Sequence, residues 1–144
     1  MTDTAAPGRQ FAFLLVDKFS MFSLAAAIDT VRSANRLLGR DFYGWTTVSA
    51  DGDAVIASNG LPIKIDYAVA DAPPVDILFV CAGLSYEFPG KSKVLGALRG
   101  WGRRGGALGA LSAGSYLLAE AGQLDGHRCT IHWENRDCFL ERFS

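Results

Sequence analysis

Charge is sparse in this chain, and neither sign leads. Fourteen lysines and arginines face fifteen aspartates and glutamates, for a formal net charge of −1. The cationic surplus that marks a nucleic-acid surface is therefore missing. Arg99, Arg103 and Arg104 stand close together, but at the spacing of a solvated helix face. Cysteine is also scarce. Cys81, Cys129 and Cys138 form an odd set without metal-ligand spacing, which argues against a disulfide framework and a zinc site. They read as free thiols of a reducing, cytoplasmic compartment. No apolar run reaches the length of a membrane span. Met1 to Gln10 lacks the basic start and apolar centre of a signal peptide and reads as a short polar tail. Nothing in the sequence asks for a metal or a cofactor.

What is present is a globular composition, 49% hydrophobic and 20% charged over 144 residues, enough for one domain with a core. Two kinds of segment alternate. "FAFLLV" (Phe11 to Val16) is a short apolar run bounded by polar residues, as a buried strand is. A helix follows, capped by Ser20 and ended by Gly39. Met21, Leu24, Ala25, Ile28, Val31 and Leu38 fall on its inner face, with Asp29, Arg32 and Arg36 outside. "WTTVSA" is β-rich, and "DGDAVIASNGLPIKI" carries two turn signals that predict a hairpin or excursion.

"VDILFVCAG" is a second fully apolar strand. Lys91 to Arg104 predicts a helix with Val94, Leu95, Leu98 and Trp101 inward, broken by Gly105 and Gly106. "ALGAL" is a third buried strand, "SYLLAEAG" a helix, "LDGHR" a turn and "CTIHW" a short strand; Glu134 to Phe143 closes in a helical pattern. Uniformly apolar strands alternating with helices predict an α/β fold. Its sheet is open, mostly parallel and doubly wound, with helices on both faces. "FLERFS" stops inside a helical pattern, which reads as a fragment, a shortened chain, or a small domain completed by a partner.

"GALGALSAGSYLLAEAG" concentrates the chemistry. An apolar run ends at Ser112, small residues follow, and a helix begins. Such a strand-to-helix turn exposes one side chain at the end of a buried strand. In an open parallel sheet, ligands bind beyond the carboxyl ends of the strands. Ala82-Gly83, Ser112-Ala113-Gly114 and His132 are expected to converge there. The turn's backbone N–H groups suit an anion, and the small side chains at Ala82 and Gly83 leave room for one. A nucleophilic Ser112 would need a base within hydrogen-bond reach, and only His132 qualifies, because His127 sits in the "LDGHR" turn.

"GALSAGSYLLAEAGQLDGHRCTIHW" resembles the nucleophile-elbow segment of the ThiJ/PfpI, or class I glutamine amidotransferase-like, superfamily, whose fold is flavodoxin-like. "FVCAG" and "FLLVDKFSMFSLAAAIDTVRSAN" resemble its glycine-turn strand and its first strand and helix. Within it, the chain is most similar to the amino-terminal sensor domains of GlxA-like AraC-family transcriptional regulators. "LLAEAGQLDGHRCTIHWEN" resembles those linked to catabolism of carnitine, choline, glycine betaine or arginine. The likeness spans nearly the whole chain.

Enzymes of the superfamily carry cysteine where Ser112 stands, several follow it with histidine where Ala113 stands, and they place an acid near Ser23. The resemblance therefore implies an elbow retained for binding with its chemistry removed. It implies residues 11–144 as a sensor that binds a small-molecule effector and forms a homodimer. DNA would be read by a C-terminal pair of helix-turn-helix motifs absent from this chain. Ser112, Ala113, Ala82, Gly83 and His132 are the expected ligand contacts. The aromatic rings of Phe22, Tyr86 and Trp133 suit a quaternary ammonium, and Glu134 an amine or guanidinium. The competing readings are a hydrolase or isonitrile hydratase-like enzyme using Ser112 and His132, and a bare dimerising scaffold.

Overall fold

The computed structural model describes residues 8–83 and 85–143. The expected polar tail falls mostly on residues 1–7 and so lies outside them. Strand β1 (Arg9–Leu15) starts two residues ahead of "FAFLLV". It pairs in parallel with β2 (Tyr43–Ser49) on one side and with β6 (Ile77–Ala82) on the other. Strand β5 (Tyr67–Ala68) extends the sheet beyond β2, and β7 (Ala107–Ser112) beyond β6, giving the order β5-β2-β1-β6-β7. Short strands β3 (Val55–Ile56) and β4 (Pro62–Ile63) form the predicted hairpin as a separate antiparallel pair.

Alternation along β1 divides the core. Ala12, Leu14 and Val16 face helix α2 (Lys91–Arg103) and helix α3 (Gly114–Glu120). Phe13 and Leu15 face helix α1 (Met21–Leu38) and the hairpin. The sheet is thus covered from both sides, as its apolar strands require. Ser20 caps α1, its Oγ accepting the Ser23 N–H at 3.3 Å, and Gly39 ends it in the left-handed region at φ +66°.

Three expectations are corrected. "CTIHW" forms no strand; it runs as irregular, mostly exposed chain into a single 3-10 turn at Trp133–Asn135 and helix α4 (Arg136–Phe143). Strand preference reflects a pleated neighbour to pack on, and this segment pairs with none. "ALGAL" is the edge strand β7, only half-buried. Leu38 and Ala25 lie on the exposed side of α1, while Asn35 is buried. The Asn35 side chain accepts the Tyr43 N–H and donates to the Tyr43 carbonyl, both at 2.8 Å, which ties the end of α1 to the start of β2.

Candidate functional site

Strand order places the site. The chain runs from β1 outward to β2 and β5, then returns to the other side of β1 for β6 and β7. At such a reversal the loops beyond adjacent strand ends part and leave a crevice. Three sharp departures meet there. After β1, Lys18 turns at φ +59°, and Phe19 forms an isolated antiparallel bridge with Gly83 just after β6. At the end of β7, Ser112 is held at φ +54°. Among the described residues, these two are the non-glycine residues of positive φ, a strained state for side chains without local compensation.

Packing dictates two of the small residues. A Cβ on Gly83 would collide with the Lys18 carbonyl oxygen, and one on Gly114 with the Val80 carbonyl. Only glycine lets the turn after β6 and the first residue of α3 press against neighbouring backbone. That pressure presents Ser112 at the exposed end of β7 while Ala113 to Leu118 are buried beneath it.

The resulting pocket has a volume of about 220 Å³. It brings together the expected Gly83, Ser112, Ala113, His132 and Glu134. Ser20, Ser58 and Asn135 also line it and were not anticipated. Ser20 follows β1, so a strand-end position was the available signal. Ser58 had none, because it arrives through the hairpin, held by its N–H donating to the Phe19 carbonyl at 2.9 Å. The other expected contacts lie elsewhere. Ala82 is buried in the core beneath the pocket. Phe22 and Trp133 are 83% and 77% exposed, and Trp133 stacks on His132 with ring centroids 5.8 Å apart. Tyr86 stacks against Tyr116 at 4.1 Å, partly buried against the core, and does not line the pocket.

The hydrogen bonds show what the pocket's polar groups already do. His132 caps the 3-10 turn, its Nδ1 accepting the Glu134 N–H at 3.3 Å. This hydrogen bond engages the Nδ1 lone pair and favours the neutral tautomer that carries its proton on Nε2. Ser23 donates its hydroxyl to Ser20 Oγ at 3.1 Å. Among the described residues no hydrogen bond joins Ser112 to His132. Cys81 is buried in β6, and burial pushes its thiol well above the ordinary range. Cys81, Cys129 and Cys138 are all free thiols.

A parallel sheet in this order carries a strained Ser112 turn over a small pocket. The DJ-1/PfpI family model matches residues 11–141, and the chain belongs to that family. Its relatives are more particular. The chain is 40% identical to the HTH-type transcriptional regulator GbdR of Pseudomonas aeruginosa, over 97% of its own length and 40% of the relative's. It is 34% identical to the HTH-type transcriptional regulator GlxA of Rhizobium meliloti, over 94% of its length and 42% of the relative's. The crystal structure of an AraC family transcriptional regulator from Pseudomonas putida superposes with a TM-score of 0.81 at 35% identity. That match covers 93% of this chain and 72% of the other. The chain thus spans about two-fifths of the length of these curated relatives. Among the described residues no helix is long and apolar enough to cross a membrane.

Proposed function

We propose that this chain is the ligand-sensing part of an AraC-family transcriptional regulator. It binds a small metabolite in the Ser112 pocket without transforming it. The observation that carries this reading is the state of the pocket's polar groups. The elbow keeps its shape, with Ser112 exposed at φ +54°, while the groups that would activate it are committed elsewhere. Ser23 donates to Ser20, and the His132 lone pair accepts the Glu134 amide. A serine hydroxyl without a base is a poor nucleophile. A hydrolase using Ser112 and His132 would need both arrangements undone.

The regulators similar to this chain support the rest. A separate helix-turn-helix domain reads the DNA, and the cytoplasmic protein acts as a dimer on paired half-sites. The effector is a small zwitterion of the betaine, carnitine or amino acid type. Its carboxylate meets the backbone amides of Ser112 and Ala113. Its cationic end meets Glu134, which lines the same pocket. Trp133 stands beside that end, on the exposed side of His132.

Calorimetric titration of the 144-residue chain with glycine betaine, carnitine, choline and arginine tests this. At least one carboxylate-bearing ligand is expected to bind, and choline, which lacks the carboxylate, more weakly than betaine. Equal binding of choline and betaine would remove the anion-cradle role of the Ser112 turn. Turnover of amides or isonitriles that disappears in Ser112→Ala would replace the sensor reading with the enzyme.

A further inference from the structure

A second cavity lies apart from the Ser112 pocket. It is a groove of about 850 Å³ on the α2 side of the sheet, and no residue lining the Ser112 pocket contributes to it. Its floor is apolar, made by the buried Ala12, Val48 and Leu78 of three neighbouring strands. The chain leading from β5 to β6 forms the far wall. The near wall is one stripe of α2, where Gly96, Ala97 and Gly100 leave a trough between Lys93 at one end and Arg103 and Arg104 at the other. From position 93 to 104 a helix rises about 16 Å. Trp101 closes the arginine end, its indole N–H donating to the Ala107 carbonyl at 3.0 Å, and the Arg104 guanidinium lies 5.9 Å from its ring.

The charges of this groove are one-sided. Lys93, Arg103 and Arg104 enter no ion pair among the described residues. Among the described residues one acid, Asp51, lines the groove, and it already accepts the Asp53 N–H at 3.0 Å. A second copy of this chain fits poorly, because two such stripes laid antiparallel would set Lys93 against Arg103 and Arg104. Like charges facing each other oppose association. The volume lies in the range of small-molecule sites, which combine an apolar lining with a few charged groups that orient the ligand.

We infer that this groove is a second ligand site, for an amphipathic carboxylate. The alkyl body lies along Gly96, Ala97 and Gly100 over the Val48–Leu78 floor, and the carboxylate meets Arg103 and Arg104. The inference does not rest on the sensor reading of the Ser112 pocket.

Sodium decanoate, titrated below its micelle concentration into the 144-residue chain, is the probe, with decyltrimethylammonium as its charge-reversed control. Tryptophan fluorescence is the readout, and Trp101→Phe is expected to remove the change. Decanoate should bind, more weakly at high salt, and the ammonium at least tenfold more weakly. The double variant Arg103→Glu, Arg104→Glu should raise the decanoate dissociation constant tenfold or more. Gly100→Leu fills the trough without altering charge. A Cβ there meets only the exposed Arg104 side chain, at 3.4 Å, and leucine is the better helix former. This variant should keep or raise the melting temperature and lose decanoate binding. Equal binding of both amphiphiles, or unchanged decanoate affinity in Gly100→Leu, overturns the site. So does a dimer in sedimentation that Gly100→Leu dissociates, since the groove would then be an interface. Saturating glycine betaine should leave decanoate affinity unchanged; full competition between them would also overturn the inference.

Discussion

Tyr116 donates its phenol O–H to the carbonyl of Asn135 across 3.2 Å. Asn135 lines the Ser112 pocket, and Tyr116 stands in α3 directly beneath the elbow. The same ring packs edge-on against Phe139 and Phe143 of α4, at 5.1 and 5.7 Å. One side chain therefore links the elbow helix, the pocket wall and the last helix. Burial raises the phenol above its ordinary pKa of 10, so it remains a donor at neutral pH. Tyr116→Phe keeps the rings and loses the bond. The expected cost is about 1 kcal/mol in urea unfolding. Tyr116→Ala should cost about 3–5 kcal/mol, as aromatic truncations in cores do.

Gly83→Ala and Gly114→Ala each drive a methyl group into a carbonyl oxygen, of Lys18 and Val80 respectively. Each is expected to destabilise the fold by about 1–3 kcal/mol, the range for overpacking. Gly96→Ala, with open space around its Cβ, is the control and should be neutral or stabilising. Chemical denaturation of the three variants decides it. If Gly83→Ala melts like wild type, the close approach of the β1 and β6 loops is wrong.

Isonitriles, short amides and glyoxals are expected to show no turnover above buffer. Ser112→Cys should give a thiol of ordinary pKa, about 8.5, because His132 is committed to the Glu134 amide. The rate of thiol alkylation against pH reads this directly. A midpoint well below that value would mean that a basic partner, or the backbone amides at the start of α3, stabilises a thiolate at position 112.

Ser115 is buried at 5% exposure, and its Oγ has no hydrogen-bond partner among the described residues. Such a hydroxyl costs its desolvation and returns nothing. Ser115→Ala is expected to raise stability by about 1 kcal/mol. A loss of stability would show that the hydroxyl has a partner in solution.

Lys91 gives the domain a signature at alkaline pH. Burial alone would lower its pKa, but the carboxylates of Glu87 and Glu120, at 2.6 and 2.9 Å, outweigh that and raise it above the ordinary 10.5. The folded state therefore holds this proton more tightly than the unfolded chain. The contribution is complete below about pH 10.5 and is lost as pH rises through the raised value. Urea melts between pH 8 and 12 should show a steeper alkaline loss in wild type than in Lys91→Met. Parallel curves would mean that the ion pairs do not couple to folding.

Local signals carried most of the fold. Ser20 and Gly39 announced both ends of α1, because each acts on its own neighbours. The elbow was legible for the same reason: an apolar run, a serine and a glycine specify a turn with little outside help. Errors came where a distant partner decides. The inward place expected for Leu38 goes instead to Asn35, three residues earlier, since only a side chain with both donor and acceptor can satisfy Tyr43. "CTIHW" has the composition of a strand, yet it pairs with neither sheet edge, β5 or β7. Ser58 belongs to the pocket through a hydrogen bond to Phe19, 39 positions away in the chain, which no local pattern encodes.

The walls of the Ser112 pocket come from five separate stretches, at Ser20, Ser58, Gly83, Ser112–Ala113 and His132–Asn135. A molecule seated there is a reversible staple across the ends of three strands, the hairpin and the approach to α4. Ligands that bind only the folded chain stabilise it by RT ln(1 + [L]/Kd), roughly 2.7 kcal/mol at a hundredfold excess over Kd. The melting temperature is therefore itself an assay for the proposed effector. A metabolite collection screened by thermal shift would expose a compound that binds without any assumption about its charge or size.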